Sequence, residues 1–541
     1  MDLPFAITLD VGSSHANHTG SWRIERPVYV DRLPPCNAGC PAGEAIQEWL
    51  FHSEAGGYHE AWRVLVEDNP LPAVMGRICY HPCETACNRG QLDEPVGINA
   101  VERFLGDLAI ERGWPLPGPG ADTGKRVLVV GAGPAGLSAA YHLRRLGHGV
   151  HLVDSSPQLG GMLRYGIPAY RLPRNVLDAE ITRIVDLGVE VSVDHPVLDV
   201  GTERDAGGFD SVFLAVGAGI GRRVEIPAGD SSRIIDAVTL LHRVADDDPP
   251  LLGRRVAVYG GGDTAVDAAR TVRRLGATDA VIVYRRNRER MPAQADELEE
   301  ALDEGVTVRW LSTVDRYEGD HLVIEKMRLD GDGFPQPTGE FEELEADALV
   351  LALGQGTDLT LLDRAGDVVV EDGVVQVLPT MMTGAGGIFA GGDAVPSPRT
   401  ATVAIGHGGK AARGIDAYLS GRTPAEPPRA ELATFDRINT WYYSDAPRTV
   451  RPQLERIRRQ SGFEEVVGGL TEESALFEAR RCLSCGNCFE CDNCYGVCPD
   501  NAVIKLGPGQ RYAVDLDFCK GCGLCAQECP CGAIDMVAER I

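Results

Sequence analysis

Between Cys87 and Cys482 the chain has no cysteine, although it carries sixteen. Five fall between Cys36 and Cys87, and eleven between Cys482 and Cys531. Thiol chemistry is therefore confined to the two ends. No run of about eighteen apolar residues occurs, so no transmembrane helix is expected. The opening MDLPFAITLD lacks a basic stretch ahead of an apolar core, so no secretory signal is expected either. Positive charge is in deficit: 52 Lys and Arg stand against 79 Asp and Glu, a net −27. That balance argues against nucleic acid as a partner. It suits solubility, or docking onto a basic protein. Cysteines in tight CxxC runs without a signal peptide read as metal ligands in a reducing cytoplasm rather than as disulfides.

The length of 541 residues allows several cores of domain size. Residues 1–113 read as mostly helical, with cysteines at the turns. WPLPGPG (114–120) reads as a linker. From Lys125 to about Gly421, strands such as RVLVV (126–130) and RVAVYG (255–260) alternate with helices. GRTPAEPPRAE (421–431) leads out, and 432–475 reads as helical and charged.

The α/β region holds two strand–glycine turn–helix units. In the first, Gly131, Gly133 and Gly136 form GxGxxG directly after a strand, with Pro134 and Ala135 opening a helix. The first glycine permits a tight turn, the second lets backbone approach a pyrophosphate, and the third lets helix pack on strand. Helix N-terminal amides then face the phosphates. Asp154 ends the next strand, where a carboxylate can accept from ribose hydroxyls. In the second unit Gly260 and Gly262 hold the first two positions, Ala265 the third, and Asp263 and Thr264 start the helix. Where the first unit has Asp154, the second has Arg285 and Arg286. Arginines there suit a 2′-phosphate and favour NADPH over NADH. Alternatively they face solvent or pair with Glu289 or Glu297. Further on, GGIFAGGDAV places Gly392 and Asp393 after a short strand, with a helix expected from near Thr402. This turn could complete a flavin site from the far side of the fold. The alternative for Asp393 is a helix cap.

The tail carries Cys488-x2-Cys491-x2-Cys494-x3-Cys498-Pro and Cys519-x2-Cys522-x2-Cys525-x3-Cys529-Pro. This is the two-cluster ferredoxin pattern, in which the fourth cysteine of each run serves the other cluster. One [4Fe–4S] is expected on Cys488, Cys491, Cys494 and Cys529, the other on Cys519, Cys522, Cys525 and Cys498.

The fingerprints, GGMLRYGIPAYRLP (160–173), the GGGDTAVDAAR helix and GGDAV together resemble the small subunit of bacterial glutamate synthase. They are also similar to the N-terminal half of dihydropyrimidine dehydrogenase and to the large subunit of NADH-dependent ferredoxin:NADP oxidoreductase. The resemblance covers about residues 30–420. It implies FAD on the first unit, with Gly161, Arg164 and Thr402 among its contacts, and NAD(P)H on the second, with hydride transfer to flavin N5. It implies an α/β fold with a helical iron–sulfur domain at 1–120 and two nested Rossmann-like domains of disulfide-reductase type. These are an FAD domain at 121–225 and 345–421 and an NAD(P) domain at 226–344. A helical linker at 422–477 and a ferredoxin-like domain at 478–541 would follow. The cysteine-free middle excludes flavin-to-disulfide chemistry.

Cys36, Cys40, Cys79, Cys83 and Cys87 match part of the glutamate synthase pattern, which also carries an upstream RCxxCG. Nothing similar precedes Cys36, yet Arg481-Cys482-Leu-Ser-Cys485-Gly occurs just before the ferredoxin runs. The resemblance thus implies that Cys482 and Cys485 fold back. One cluster would use Cys36, Cys87, Cys482 and Cys485. The other would use Cys40, Cys79, Cys83 and a carboxylate at the matching position, Glu102. Cys531 is left free. Glu102 as a surface acid and Cys482/Cys485 as a structural pair are the alternatives. The expected activity is an NAD(P)H-dependent FAD and iron–sulfur oxidoreductase passing electrons to ferredoxin-type carriers or a partner subunit in a hetero-oligomer. Two further assignments are a glutamate synthase small subunit and the relay subunit of a 2-oxoacid:ferredoxin oxidoreductase. No catalytic acid–base pair or nucleophile stands out.

Overall fold

The computed structural model describes residues 17–221, 224–228, 233–423 and 430–539. The opening segment MDLPFAITLD and most of the 421–431 linker lie outside the described residues.

Two parallel five-stranded sheets form the centre. In the first, the order is Ile388–Ala390, Ser211–Leu214, Arg126–Val130, Gly149–Val153, Glu190–Ser192. Val127 to Val130 and Ser211 to Leu214 are buried, the near-continuous apolar reading of a strand covered on both faces. Helices Pro134–Arg145 and Ala401–Leu419 cover this sheet and pack on each other. In the second sheet, the order is Thr307–Arg309, Asp279–Val283, Arg255–Gly260, Ala348–Ala352, Ile234–Asp236. The strand Ala348–Ala352 therefore belongs to the second unit, and the FAD-domain boundary expected at 345 moves beyond Ala352. ALVLA is apolar throughout and fits either sheet; only its parallel pairing with Arg255–Gly260 decides. Ser312–Glu318, His321–Leu329 and Pro335–Glu345 form a separate antiparallel sheet inserted in this unit.

The N-terminal region is helical from Pro35–Gly39 to Ile98–Arg112, as its pattern suggests. It also holds a strand the sequence does not announce. Glu25–Tyr29 pairs antiparallel with Ile534–Ala538, so the ferredoxin tail is completed by the start of the chain. The segment 422–477, expected to be helical, has only Arg456–Ser461 and Glu472–Ala479 as α-helices among its described residues. Pro447, Pro452, Gly462 and the pair Gly468–Gly469 interrupt it. Residues 445–467 instead run as a strap. Arg448 pairs with Glu84 of the helical region. Val466 N donates to Tyr170 O of the first unit (2.9 Å), and Gln460 donates to Glu304 O of the second (2.8 Å). No described helix is long and apolar enough to cross a membrane.

Candidate functional site: one nucleotide cavity and four thiol groups

A cavity of about 640 Å³ opens at the carboxyl ends of the first sheet's strands. Gly131, Gly133, Pro134, Ala135, Asp154 and Gly161 line it from the first unit, Asp263 and Thr264 from the second, and Gly392 and Asp393 from the far turn. Gly131 has φ +103°, and a Cβ on Gly136 would lie 1.9 Å from Gly131 O, so turn and helix both need glycine. Gly133 is different. Its φ suits any residue, and a Cβ there would meet no protein atom within 4 Å. The space it leaves open is a cradle for a ligand. Gly262 leaves the same open space in the second unit.

Asp154 accepts from Ala132 N (2.7 Å) and Ser156 N (2.8 Å). A carboxylate has about four acceptor sites, so ribose hydroxyls can use the rest. Burial raises the Asp393 carboxyl above its usual range. Asp393 is not the cap of the following helix; Thr400 is, accepting from Val403 N at 3.2 Å. Tyr165 and His242 line the same cavity and stack with ring centroids 4.2 Å apart. The Tyr165 hydroxyl is buried and has only a marginal approach to the Gln158 backbone, so a bound molecule can supply its hydrogen bond.

Four expected contacts lie elsewhere. Arg164 donates to Leu159 O (2.6 Å) and pairs with Asp178, which turns its guanidinium away from the cavity. Thr402 stands on the opposite side of its helix from the cavity-lining Ala401 and Ala404, and its hydroxyl donates to Cys79 Sγ at 3.0 Å. Arg285 and Arg286 follow the strand Asp279–Val283, beside the second glycine turn but outside the lining of the large cavity. Arg285 is exposed, and Arg286 Nε is buried without a partner among the described residues. Glu297, offered above as a partner for them, is held by Arg171.

The thiols fall into four groups. Cys36, Cys87, Cys482 and Cys485 line one small cavity of about 20 Å³. Burial, then the thiols of Cys482, Cys87 and Cys485, raises the Cys36 thiol well above its usual range. Arg481 ties the returning segment down, donating to Glu94 O (2.7 Å), Pro95 O (3.0 Å) and Glu478 (2.5 Å). Cys498, Cys519, Cys522 and Cys525 line a second cavity of about 20 Å³. Cys488, Cys491, Cys494 and Cys529 make the third group: burial chiefly, with Cys488, Cys491 and Cys529 adding to it, lifts Cys494 to about 11 against a lowering hydrogen bond from Tyr29. Cys531 lies outside the groups, 3.8 Å from Cys529 Sγ, and the hydrogen bond between the two sulfurs lowers the Cys529 thiol.

The fourth group has three thiols, Cys40, Cys79 and Cys83. Glu102 is buried, not a surface acid. It raises the Cys79 thiol, which burial chiefly lifts to about 12. A second carboxylate that the sequence reasoning missed, Glu44, acts likewise on Cys40. Asn69 Nδ2 donates to both, at 3.0 Å to Glu44 Oε1 and 2.8 Å to Glu102 Oε1. Glu44 lies four residues after Cys40, and that spacing was its only signal. Among the described residues no three His, Cys, Asp or Glu side chains close on a point as the ligands of one ion would. Thiols that raise one another's pKa ionise together only around a cationic centre, which is the chemistry of an iron–sulfur cluster.

Residues 125–408 match the pyridine nucleotide-disulphide oxidoreductase family, just over half of the chain. The chain belongs to that family. Residues 28–114 match the 4Fe–4S cluster domain II of dihydropyrimidine dehydrogenase, and 512–535 match a 4Fe–4S binding domain. The chain is 36% identical to the beta subunit of NADP(+)-dependent formate dehydrogenase from Moorella thermoacetica, over 83% of this chain and 70% of that one. It is 31% identical to the beta subunit of NADPH-Fe(3+) oxidoreductase from Geobacter sulfurreducens, over 85% and 77%. It is 34% identical to the small chain of glutamate synthase [NADPH] from Azospirillum brasilense, over 74% and 89%. This family member is an NAD(P)H-dependent oxidoreductase of the FAD and iron–sulfur type.

Proposed function

We propose that the chain is the NADPH-oxidising subunit of a hetero-oligomeric oxidoreductase and delivers single electrons to a larger partner subunit or a ferredoxin-type carrier. One observation carries this reading. The first turn of Ala401–Leu419 faces the nucleotide cavity with Ala401 and Ala404, and it holds Cys79 with Thr402 on its other side. The flavin site and the Cys40, Cys79 and Cys83 group are thus separated by a single helical turn.

FAD would lie along Gly131–Gly136, Asp154 and Gly392–Asp393, with the nicotinamide nucleotide entering over Asp263 and Thr264. Bound FAD supplies the exchange between a hydride pair and single electrons, and clusters supply one-electron carriers. The chain's own residues cradle the phosphates, close the cavity with the Tyr165–His242 stack, and hold the thiols. Arg285 and Arg286, at the second turn, would receive the 2′-phosphate. The relatives named for formate dehydrogenase, iron reduction and glutamate synthesis leave several partner chemistries. The ferredoxin tail favours an acceptor other than a glutamate-forming subunit, since the glutamate synthase relative aligns with only 74% of this chain.

The purified anaerobic protein should reduce a viologen dye with NADPH in the absence of any partner. Replacing Arg285 and Arg286 by uncharged residues should raise KM for NADPH about ten- to a hundredfold, and KM for NADH much less. A wild type that prefers NADH would overturn the assignment of these arginines.

A further inference from the structure

Resting on the hydride-transfer reading above, the geometry points to Tyr170 and Arg171 as positioning residues that lock the second nucleotide unit against the flavin cavity. Both belong to the 160–173 segment of the first unit, and neither is a group that touches reacting atoms in this reading. Arg171 crosses the boundary between units. It donates to Asp267 Oδ2 at 2.7 Å, on the helix Asp263–Arg274, and pairs with Glu297 on the helix Ala295–Asp303. Asp267 stands one turn after Asp263 and Thr264, and all three line the cavity together with Arg171. Fixing Asp267 therefore fixes the turn that presents the nicotinamide nucleotide.

Tyr170 is fully buried and plugs into a platform of charge. The Arg274 guanidinium lies 3.7 Å and that of Arg270 4.8 Å from its ring centroid. Glu304 holds both arginines, with contacts of 2.7 and 3.0 Å to Arg270 and 2.7 and 2.9 Å to Arg274. A planar cation on an aromatic face is a directional contact as well as an attractive one. The strap closes the lock from outside. It holds Tyr170 O through Val466 N (2.9 Å), Arg274 Nε through Gly462 O (3.1 Å) and Glu304 O through Gln460 (2.8 Å). The second unit is thus gripped by the first unit and by the strap at one point, a helical turn or two from the hydride-transfer site. The site is assembled before substrate arrives, and turnover needs no swing of one unit against the other.

The test uses the full-length holoprotein under anaerobic conditions. Arg171→Met combined with Glu297→Gln removes a buried charge from each side and keeps the local charge balanced. FAD content and the dissociation constant for NADP+ should stay within about twofold of wild type. The limiting rate of flavin reduction by NADPH, followed by stopped-flow absorbance, should fall about ten- to a hundredfold, the loss expected of a small misplacement. Arg171→Lys keeps the charge but not the two-carboxylate fork, and its rate should fall between the two. A double variant that reduces flavin at the wild-type rate overturns the lock. So does one whose loss lies wholly in NADP+ affinity, because that marks a binding role. A wild type whose flavin NADPH does not reduce overturns the parent reading, a result distinct from either.

Discussion

Gly133 separates what the fold needs from what a ligand needs. A Cβ there meets no protein atom within 4 Å, so Gly133→Val should fold normally. It should nonetheless lose most of its flavin, because the valine enters the pyrophosphate cradle; a variant that keeps full flavin absorbance refutes the site. Gly136 is the opposite case, since a Cβ would lie 1.9 Å from Gly131 O and break the turn itself. Glu102→Ala should alter or remove one cluster signal in electron paramagnetic resonance while leaving FAD and nucleotide binding intact. A variant matching wild type in iron content and in every signal would return Glu102 to a purely structural role. His142 carries a pH dependence. Burial, then Arg413, lowers its pKa from 6.5 to about 3. The unfolded chain therefore binds a proton below about pH 6.5 that the native chain refuses, and stability falls as pH drops through that window. The slope approaches about 1.4 kcal/mol per pH unit. His142→Gln should shrink the difference in thermal midpoint between pH 7.5 and pH 5.5. Residues of this kind differ in how far sequence exposes them. Gly131, Gly133 and Asp154 sit in a spacing with one physical meaning. Thr402 and Arg164 do not: which side of a helix turn faces a cavity depends on packing against a distant segment, here Cys79 and Asp178.

At the scale of elements, the cysteine runs were the most legible part of the chain. Their spacing anticipates two of the thiol groups, while the grouping of Cys36 and Cys87 with Cys482 and Cys485 needed the family resemblance. Deleting residues 476–541 should remove the two ferredoxin clusters and also disrupt a third. It takes away Cys482 and Cys485, which complete the Cys36 and Cys87 cavity. The same deletion strips the partner strand from Glu25–Tyr29. Iron analysis decides: about eight irons retained per chain would show that the N-terminal region builds both its clusters unaided. The strap was misread because its charge pattern resembles a surface helix, and only its prolines and glycines hinted otherwise. Several of its contacts run through backbone atoms: Gln460 donates to Glu304 O, Val466 N to Tyr170 O, and its own Gly462 O accepts from Arg274. Backbone partners leave no mark in side-chain periodicity. The strand Ala348–Ala352 changed sheets for a similar reason. An all-apolar strand says that it is buried, not which neighbour it pairs with.

For the whole molecule, the ligand groups should correspond to about sixteen irons and one FAD per chain after anaerobic reconstitution, and metal and flavin analysis of the intact protein checks both. A count near eight irons would leave two thiol groups without clusters. Class and order of the units follow from sequence because each has a local signature, whereas their mutual arrangement rests on contacts such as Arg171–Asp267 between segments about a hundred residues apart. The pairing of the two chain ends also sets a timetable for biogenesis. Cys36 and Cys87 leave the ribosome early, but Cys482 and Cys485 follow roughly four hundred residues later. At about 5–20 residues per second this is a wait of roughly 20–80 s, during which the first thiols have half a site. The two nested nucleotide units, which lie between the two sets of cysteines, can fold in that interval. The site shared by the two ends therefore cannot close, or take up its iron, until Cys485 has left the ribosome.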